Sequence, residues 1–181
     1  MKIQRRFTAL HHDPYHGIVF HKRLVEIREE GGDVVFRAEV VAPDFWSQTA
    51  VDLLASKYLW RGSGPVAAEN DVRQAIHRLT LAWRHWGEKA GIFSAKEDAD
   101  AYVDEMAYML VRQMGSPNSP QWFNTGVFLA YGIKGPPQGH YAIDLATKQA
   151  QPALSSYERP QVHACFIQSV QDNLVGAGGI N

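Results

Sequence analysis

The sequence predicts an α/β chain in which a β-hairpin precedes a mainly helical region, and that region leads into a further strand. Three observations carry this. Ile18–Ile27 and Val34–Val41 are β-rich runs separated by Gly31-Gly32, and a glycine pair supplies the positive φ that hairpin turns need. Apolar residues recur at helical spacing through Asn70–Trp86 and again after Ser94. From Val162 to Val170, behind the rigid Pro160, β-branched and aromatic residues read as a strand.

Taken in order, the chain divides at 1–43, 44–115 and 116–181. Residues 1–16 carry His11, His12 and His16 around Asp13-Pro14. Their spacing fits no metal motif, so a solvated arm is expected and no metal is assigned. The hairpin follows and Pro43 ends it. Asp44–Trp60 is expected as one helix, with Trp46, Ala50, Leu53 and Leu54 on a common face and Asp44 or Ser47 as the cap. Gly62-Ser63-Gly64-Pro65 closes it as a loop.

Asn70–Trp86 is the clearest helix. Val72, Ile76, Leu79, Trp83 and Trp86 share a face, while Arg73, His77, Arg78, Arg84 and His85 fill the others, as on a solvated surface. Gly87 and Gly91 are expected to break it. Ser94-Ala95-Lys96-Glu97 has the form of a capping box. The helix it starts should reach about Met114, with Gly115 past its end. Its stripe of Tyr102, Val103, Met106, Met109 and Leu110 suits core packing.

The totals limit the function classes. With 181 residues, 45% hydrophobic and 20% charged, the composition is that of a folded globular chain. A formal net charge of −1 carries no basic excess for nucleic acid. Arg5 and Arg6 are followed by no apolar secretory core, and no apolar run approaches the ~20 residues of a membrane span. One cysteine excludes an internal disulfide and suits a reducing compartment. A cytoplasmic protein is therefore expected. The last residues, Leu174–Asn181, read as a glycine turn inside a domain, as if the chain stopped in mid-fold.

Chemistry concentrates in two places. Ser116-Pro117-Asn118-Ser119-Pro120-Gln121-Trp122-Phe123-Asn124-Thr125-Gly126 sets hydroxyls and amides beside aromatic surface, on a loop stiffened by prolines. Such a loop suits a polyhydroxylated or phosphorylated small molecule; it equally suits a helix-to-strand connection whose aromatics plug the core. The only cysteine, Cys165, is either a thiol presented at a defined point or a buried small hydrophobe. Between the two blocks, Val127–Tyr131 reads as a short strand or helical turn, 135–139 as a turn, His140–Leu145 as a strand and Ala153–Arg159 as a loop.

The Ser116–Gly126 block and Gln161-Val162-His163-Ala164-Cys165-Phe166-Ile167-Gln168-Ser169-Val170 together resemble the entrance to the catalytic barrel of ribonucleotide reductases, most nearly the adenosylcobalamin-dependent class. Pro43–Gln48, Ser56–Leu59, Asp71–Gln74 and Gly139-His140-Tyr141 support the resemblance, which runs from about Gly17 onward. It implies a helical N-terminal region followed by a ten-stranded α/β barrel, with the Cys165 segment as the first barrel strand. It also implies roles: Cys165 as one of the redox-active pair that reduces the ribose 2′ position, Ser119 as a substrate-binding serine, and Ala164 as a small residue whose backbone lines the substrate. The second redox cysteine, the radical-bearing cysteine and the C-terminal cysteine pair are not in this chain. An N-terminal part, inactive alone, is therefore expected. Adenosylcobalamin would be the cofactor of the complete enzyme, a ribonucleotide its substrate, a thioredoxin-like protein its reductant and deoxynucleotides its effectors; a homodimer is compatible with the resemblance. Two rivals remain: a non-catalytic nucleotide- or sugar-phosphate-binding module with a buried structural Cys165, and a truncated, non-functional product with an exposed strand edge.

Overall fold

The computed structural model describes residues 1–62, 66–144, 146–162 and 164. Cys165, most of the strand expected over Val162–Val170, and the glycine turn near the C-terminus lie outside the described residues. The described chain is mixed α/β.

The hairpin forms where the sequence places it. Strand β1 (Phe20–Arg28) pairs antiparallel with β2 (Val34–Pro43), from Phe20 opposite Pro43 to Ile27 opposite Phe36. Gly32 takes φ 89° in the turn, and the Glu29 amide donates to the Asp33 carbonyl at 3.0 Å. Period-two alternation turns Val25, Val40 and Ala42 into the core and leaves Leu24 and Val35 outside.

The expected helix over Asp44–Trp60 is shorter and changes pitch. Ser47 caps α1 (Gln48–Leu53), its hydroxyl accepting from the Ala50 amide at 3.1 Å. Leu54–Tyr58 then widens into a π-helical turn, closed by the Leu59 amide on the Leu54 carbonyl at 3.0 Å. Such turns are rare and frequent at functional sites. This one ends with Tyr58 against the Ser119 segment.

Helix α2 (Val72–Lys89) is capped by Asp71, and the Gln74 side chain accepts from the Asp71 amide at 3.0 Å. Ala75, Ile76, Leu79 and Ala82 are fully buried; burying a side chain such as Ile76 or Leu79 contributes roughly 1.5–3 kcal/mol. The helix runs through Gly87 rather than breaking there. A side chain at Gly87 would collide with the Phe93 ring, so the glycine serves close packing. Arg78 is a larger correction: it is buried, not on a solvated face.

Helix α3 (Lys96–Val111) starts one residue later than its sequence signal. Ala95 is the cap residue and Asp98, not Glu97, accepts from the Ala95 amide at 3.1 Å, while the Ser94 hydroxyl accepts from the Met1 ammonium at 3.1 Å. The helix stops at Val111 because Gln113 takes the left-handed conformation, φ 56°, expected for Gly115. The Gln113 and Met114 amides return to the Leu110 and Met109 carbonyls at 3.1 and 2.9 Å. The buried face is Ala99, Ala107, Leu110 and Val111, with Met106 and Met109 at its margin. Alanines on both α2 and α3 let the two helices pack closely.

The first residues are not a free arm. Arg5 pairs with Asp104 at 2.7 Å, the Ile3 amide donates to Asp98 at 2.8 Å and Phe7 stacks on Tyr108 at 5.5 Å. Tyr15 enters the core beside Val25, Val40, Trp46, Ile76 and Leu79. The sequence pattern missed this because the contacts are made by backbone amides and alternate single residues.

Beyond α3 the elements are short. The Ser/Pro block is helical rather than a loop: Asn118 caps α4 (Ser119–Asn124), its side chain accepting from the Gln121 amide at 3.1 Å. Pro120 in the first turn lacks only an amide hydrogen that has no helical partner there. Helix α5 (Val127–Tyr131) follows after Gly126, φ 80°. A Cβ at Gly126 would overlap the Arg78 carbonyl, so only glycine lets the chain cross α2 at this point. Strands β3 (Tyr141–Ile143) and β4 (Ala150–Pro152) make a small antiparallel pair. No helix among the described residues is long and apolar enough to cross a membrane.

Candidate functional site

The structure joins the two blocks that the sequence singled out. From α4, Asn118 Nδ2 donates to the Val162 carbonyl at 2.9 Å, and Asn124 Nδ2 donates to the Gln161 carbonyl at 3.2 Å. The two asparagines therefore seat the chain directly ahead of Ala164, which is exposed. Ser119, at the first position of α4, is half-buried and its hydroxyl lies 3.1 Å from the Tyr58 hydroxyl.

A buried charge cluster under α4 holds this arrangement. Arg78 and Glu69 are paired at 2.8 Å with side chains 1% and 2% exposed. The same guanidinium donates to the Trp122 and Thr125 carbonyls at 3.1 and 2.7 Å. These are the carbonyls at the end of α4 that lack helical partners, and Arg78 satisfies them. Glu69 in turn accepts from the Trp60 amide at 2.7 Å and from the Tyr131 hydroxyl at 2.6 Å. Burial, followed by the hydrogen bond to Glu69 and its negative charge, pushes the Tyr131 hydroxyl pKa well above the ordinary tyrosine range. Each member has its partners, which is the condition under which a buried pair is tolerated. Around it, Trp83 Nε1 donates to Gln121 Oε1 at 3.0 Å and Trp122 Nε1 to Ser116 Oγ at 3.2 Å.

The approach to Ala164 also borders an open cleft of about 740 Å³ between the end of α2, α5, β3 and residues 157–162. Trp86, Lys89 and Tyr141 line it together with His140 and Arg159. His140 Nε2 is 2.6 Å from the Arg159 carbonyl, and Arg159 Nη1 donates to the Ile143 carbonyl at 2.7 Å. The Gly139-His140-Tyr141 segment therefore braces the same approach from the other side. Among the described residues no group of three or more His, Cys, Asp or Glu could hold a metal ion.

Of the three residues expected to act on substrate, Ser119 lies on α4, Ala164 follows the stretch that α4 holds, and Cys165 is outside the described residues. Glu69 was not singled out by sequence, Arg78 was read only as part of a solvated face, and Tyr58 entered only within the Ser56–Leu59 stretch. The sequence signal for Arg78 existed in part: it precedes Leu79 directly and sits two positions from Ile76, at the edge of the apolar stripe.

Comparison with known proteins covers most of the chain. Residues 21–113 match the family model described as class II vitamin B12-dependent ribonucleotide reductase. The chain is 44% identical over 214 aligned positions to the vitamin B12-dependent ribonucleotide reductase of Agrobacterium fabrum, an alignment covering 99% of this chain and 17% of that protein. The protein of the same name from Bradyrhizobium diazoefficiens gives the same identity and coverage. That of Rhodopirellula baltica is 34% identical over 163 positions, covering 89% of this chain and 16% of the relative. The chain thus spans about a sixth of the length of the curated relatives it matches.

Proposed function

This chain belongs to the class II vitamin B12-dependent ribonucleotide reductases, and from that membership we propose that it forms the N-terminal part of an enzyme converting ribonucleotides to deoxyribonucleotides by radical chemistry. The observation that carries the reading is the seating of Gln161–Val162 by Asn118 and Asn124. It makes the Ser119 helix and the approach to Cys165 one unit, as a shared substrate site requires. In this reading residues 1–43 and 44–115 are the supporting region, and 116–181 begin a ten-stranded α/β barrel.

The net reaction sets what Cys165 must do. Two thiols give two hydrogens and two electrons; the 2′ hydroxyl leaves as water, a C–H bond replaces C–O, and the sulfurs join as a disulfide. Cys165 is one thiol, and the other belongs to a part of the enzyme beyond this chain. The bonds from Asn118 and Asn124 hold the backbone at Gln161 and Val162, a few residues ahead of the Cys165 thiol. Ser119 offers a hydroxyl to a substrate oxygen, and the small Ala164 lets the nucleotide approach the backbone. Adenosylcobalamin, when bound to the complete enzyme, would supply the radical that starts the chemistry; no residue of this chain is assigned to it. A thioredoxin-like dithiol in a reducing cytoplasm would restore Cys165 and its partner. Deoxynucleotide effectors and a homodimeric assembly belong to the same proposal.

The test is Cys165→Ser in the full-length protein. Multiple turnover with a dithiol reductant should disappear while cofactor binding persists. Normal multiple turnover in this variant contradicts the assignment.

A further inference from the structure

The π-helical turn at Leu54–Tyr58 gives the substrate-binding reading a component that the sequence did not supply. Widening the helix by one residue per turn ends it at Tyr58 beside α4. There the ring stacks on Phe123, centroids 5.4 Å apart at 23°, and lies 6.0 Å from Trp122. The Tyr58 carbonyl faces Arg78 Nη2 at 3.5 Å, so backbone and ring are both fixed from below. The hydroxyl that results is 3.1 Å from Ser119 Oγ.

We propose that Tyr58 is a positioning residue for Ser119, orienting the serine hydroxyl as a hydrogen-bond donor toward an oxygen of the ribonucleotide. This rests on the reading of Ser119 as a substrate contact. Either hydroxyl can donate across this pair; in the proposed arrangement the more acidic phenol O–H donates and the Ser119 oxygen accepts. The serine proton is then turned away from Tyr58 and is free for a ligand oxygen. A donor feeding a donor polarises the second bond, strengthening Ser119 toward an anionic or hydroxyl oxygen. Without Tyr58 the serine rotor has three staggered positions and must be ordered at the moment of binding. The pairing therefore acts on substrate affinity rather than on the chemical step.

The test is a double-mutant cycle in the full-length enzyme with cytidine di- or triphosphate, whichever is turned over. Tyr58→Phe keeps the ring and its stacking and removes one oxygen. Ser119→Ala should raise KM about tenfold or more, and Tyr58→Phe about three- to tenfold, with kcat little changed. The double variant should match Ser119→Ala alone, because Tyr58 acts through that hydroxyl. An unchanged KM for Tyr58→Phe, beside a raised KM for Ser119→Ala, overturns the role of Tyr58 and leaves that of Ser119 standing. So does a Tyr58→Phe effect that simply multiplies the Ser119→Ala effect. An unchanged KM for Ser119→Ala overturns the reading of Ser119 and the inference with it. Equal thermal midpoints for Tyr58→Phe and the parent enzyme show that the effect is not one of folding.

Discussion

Two stretches are held to the same helical body, each by a buried charged side chain, and the two use opposite chemistry. The first residues are held by an anion. Glu105, on α3, accepts from the Phe7 amide at 3.1 Å, the Thr8 amide at 2.8 Å and the Thr8 hydroxyl at 2.6 Å. The α4 segment is held by a cation: Arg78, on α2, donates to two of its carbonyls. Backbone amides and backbone carbonyls need these opposite partners once they are buried without helix or sheet bonds. The difference lies in what can switch the clamp off. The anionic clamp rests on a group that acid neutralises, the Glu105 carboxylate.

The largest expected effect breaks the cationic clamp. Arg78→Ala leaves the buried Glu69 carboxyl without its ion-pair partner and should cost about 3–5 kcal/mol of stability. Denaturant unfolding of the full-length protein measures it; a loss below 1 kcal/mol would show that α4 is seated by other contacts.

A smaller effect follows at the anionic clamp. Burial raises the Glu105 pKa, but hydrogen bonds from Thr8 and from the Phe7 and Arg6 amides outweigh it and hold it below the ordinary carboxylate range. Its stabilisation is therefore fully present above the unfolded carboxylate value of about 4.3 and is lost as pH falls through the lower folded value. Amide-exchange protection at Phe7 and Thr8, taken relative to the intrinsic rate at each pH, should be lost in acid before protection in α2 is, and Glu105→Ala should bring the same loss at neutral pH. Simultaneous release of both regions would contradict the separation of the two clamps.

The smallest effect is at the link itself. Asn124→Ala removes the bond to the Gln161 carbonyl, worth about 0.5–1.5 kcal/mol. Little change in global stability is expected, with faster local proteolysis around Gln161–Val162. Unchanged cleavage there would show that the approach is held without the Asn124 bond.

How much of this was legible in the sequence depended on the range of the interaction. The hairpin and the body of α2 follow from period and turn chemistry, which act within a few residues. The Arg78 cluster did not, because its partners at Glu69, Trp122, Thr125 and Tyr131 meet only after the chain has folded back. An arginine on a helix reads as a solvent-facing residue until those carbonyls are known to be there. The π-helical turn left no signal either, since Leu54–Tyr58 has the pattern of an ordinary helix. Of the candidate site, Ser119 and its neighbouring asparagines were visible as a polar block, but not the helix that they form or the chain that they hold.

The proposed role of α4, and of the approach that it seats, is to deliver Cys165 as a reductant. A single round of turnover by the full-length enzyme, with ribonucleotide and cofactor but no external thiol, tests it most directly. After alkylation and peptide mass mapping, Cys165 should be recovered in a disulfide, with deoxynucleotide formed in proportion. Deoxynucleotide formed with Cys165 recovered as an alkylated thiol would contradict it.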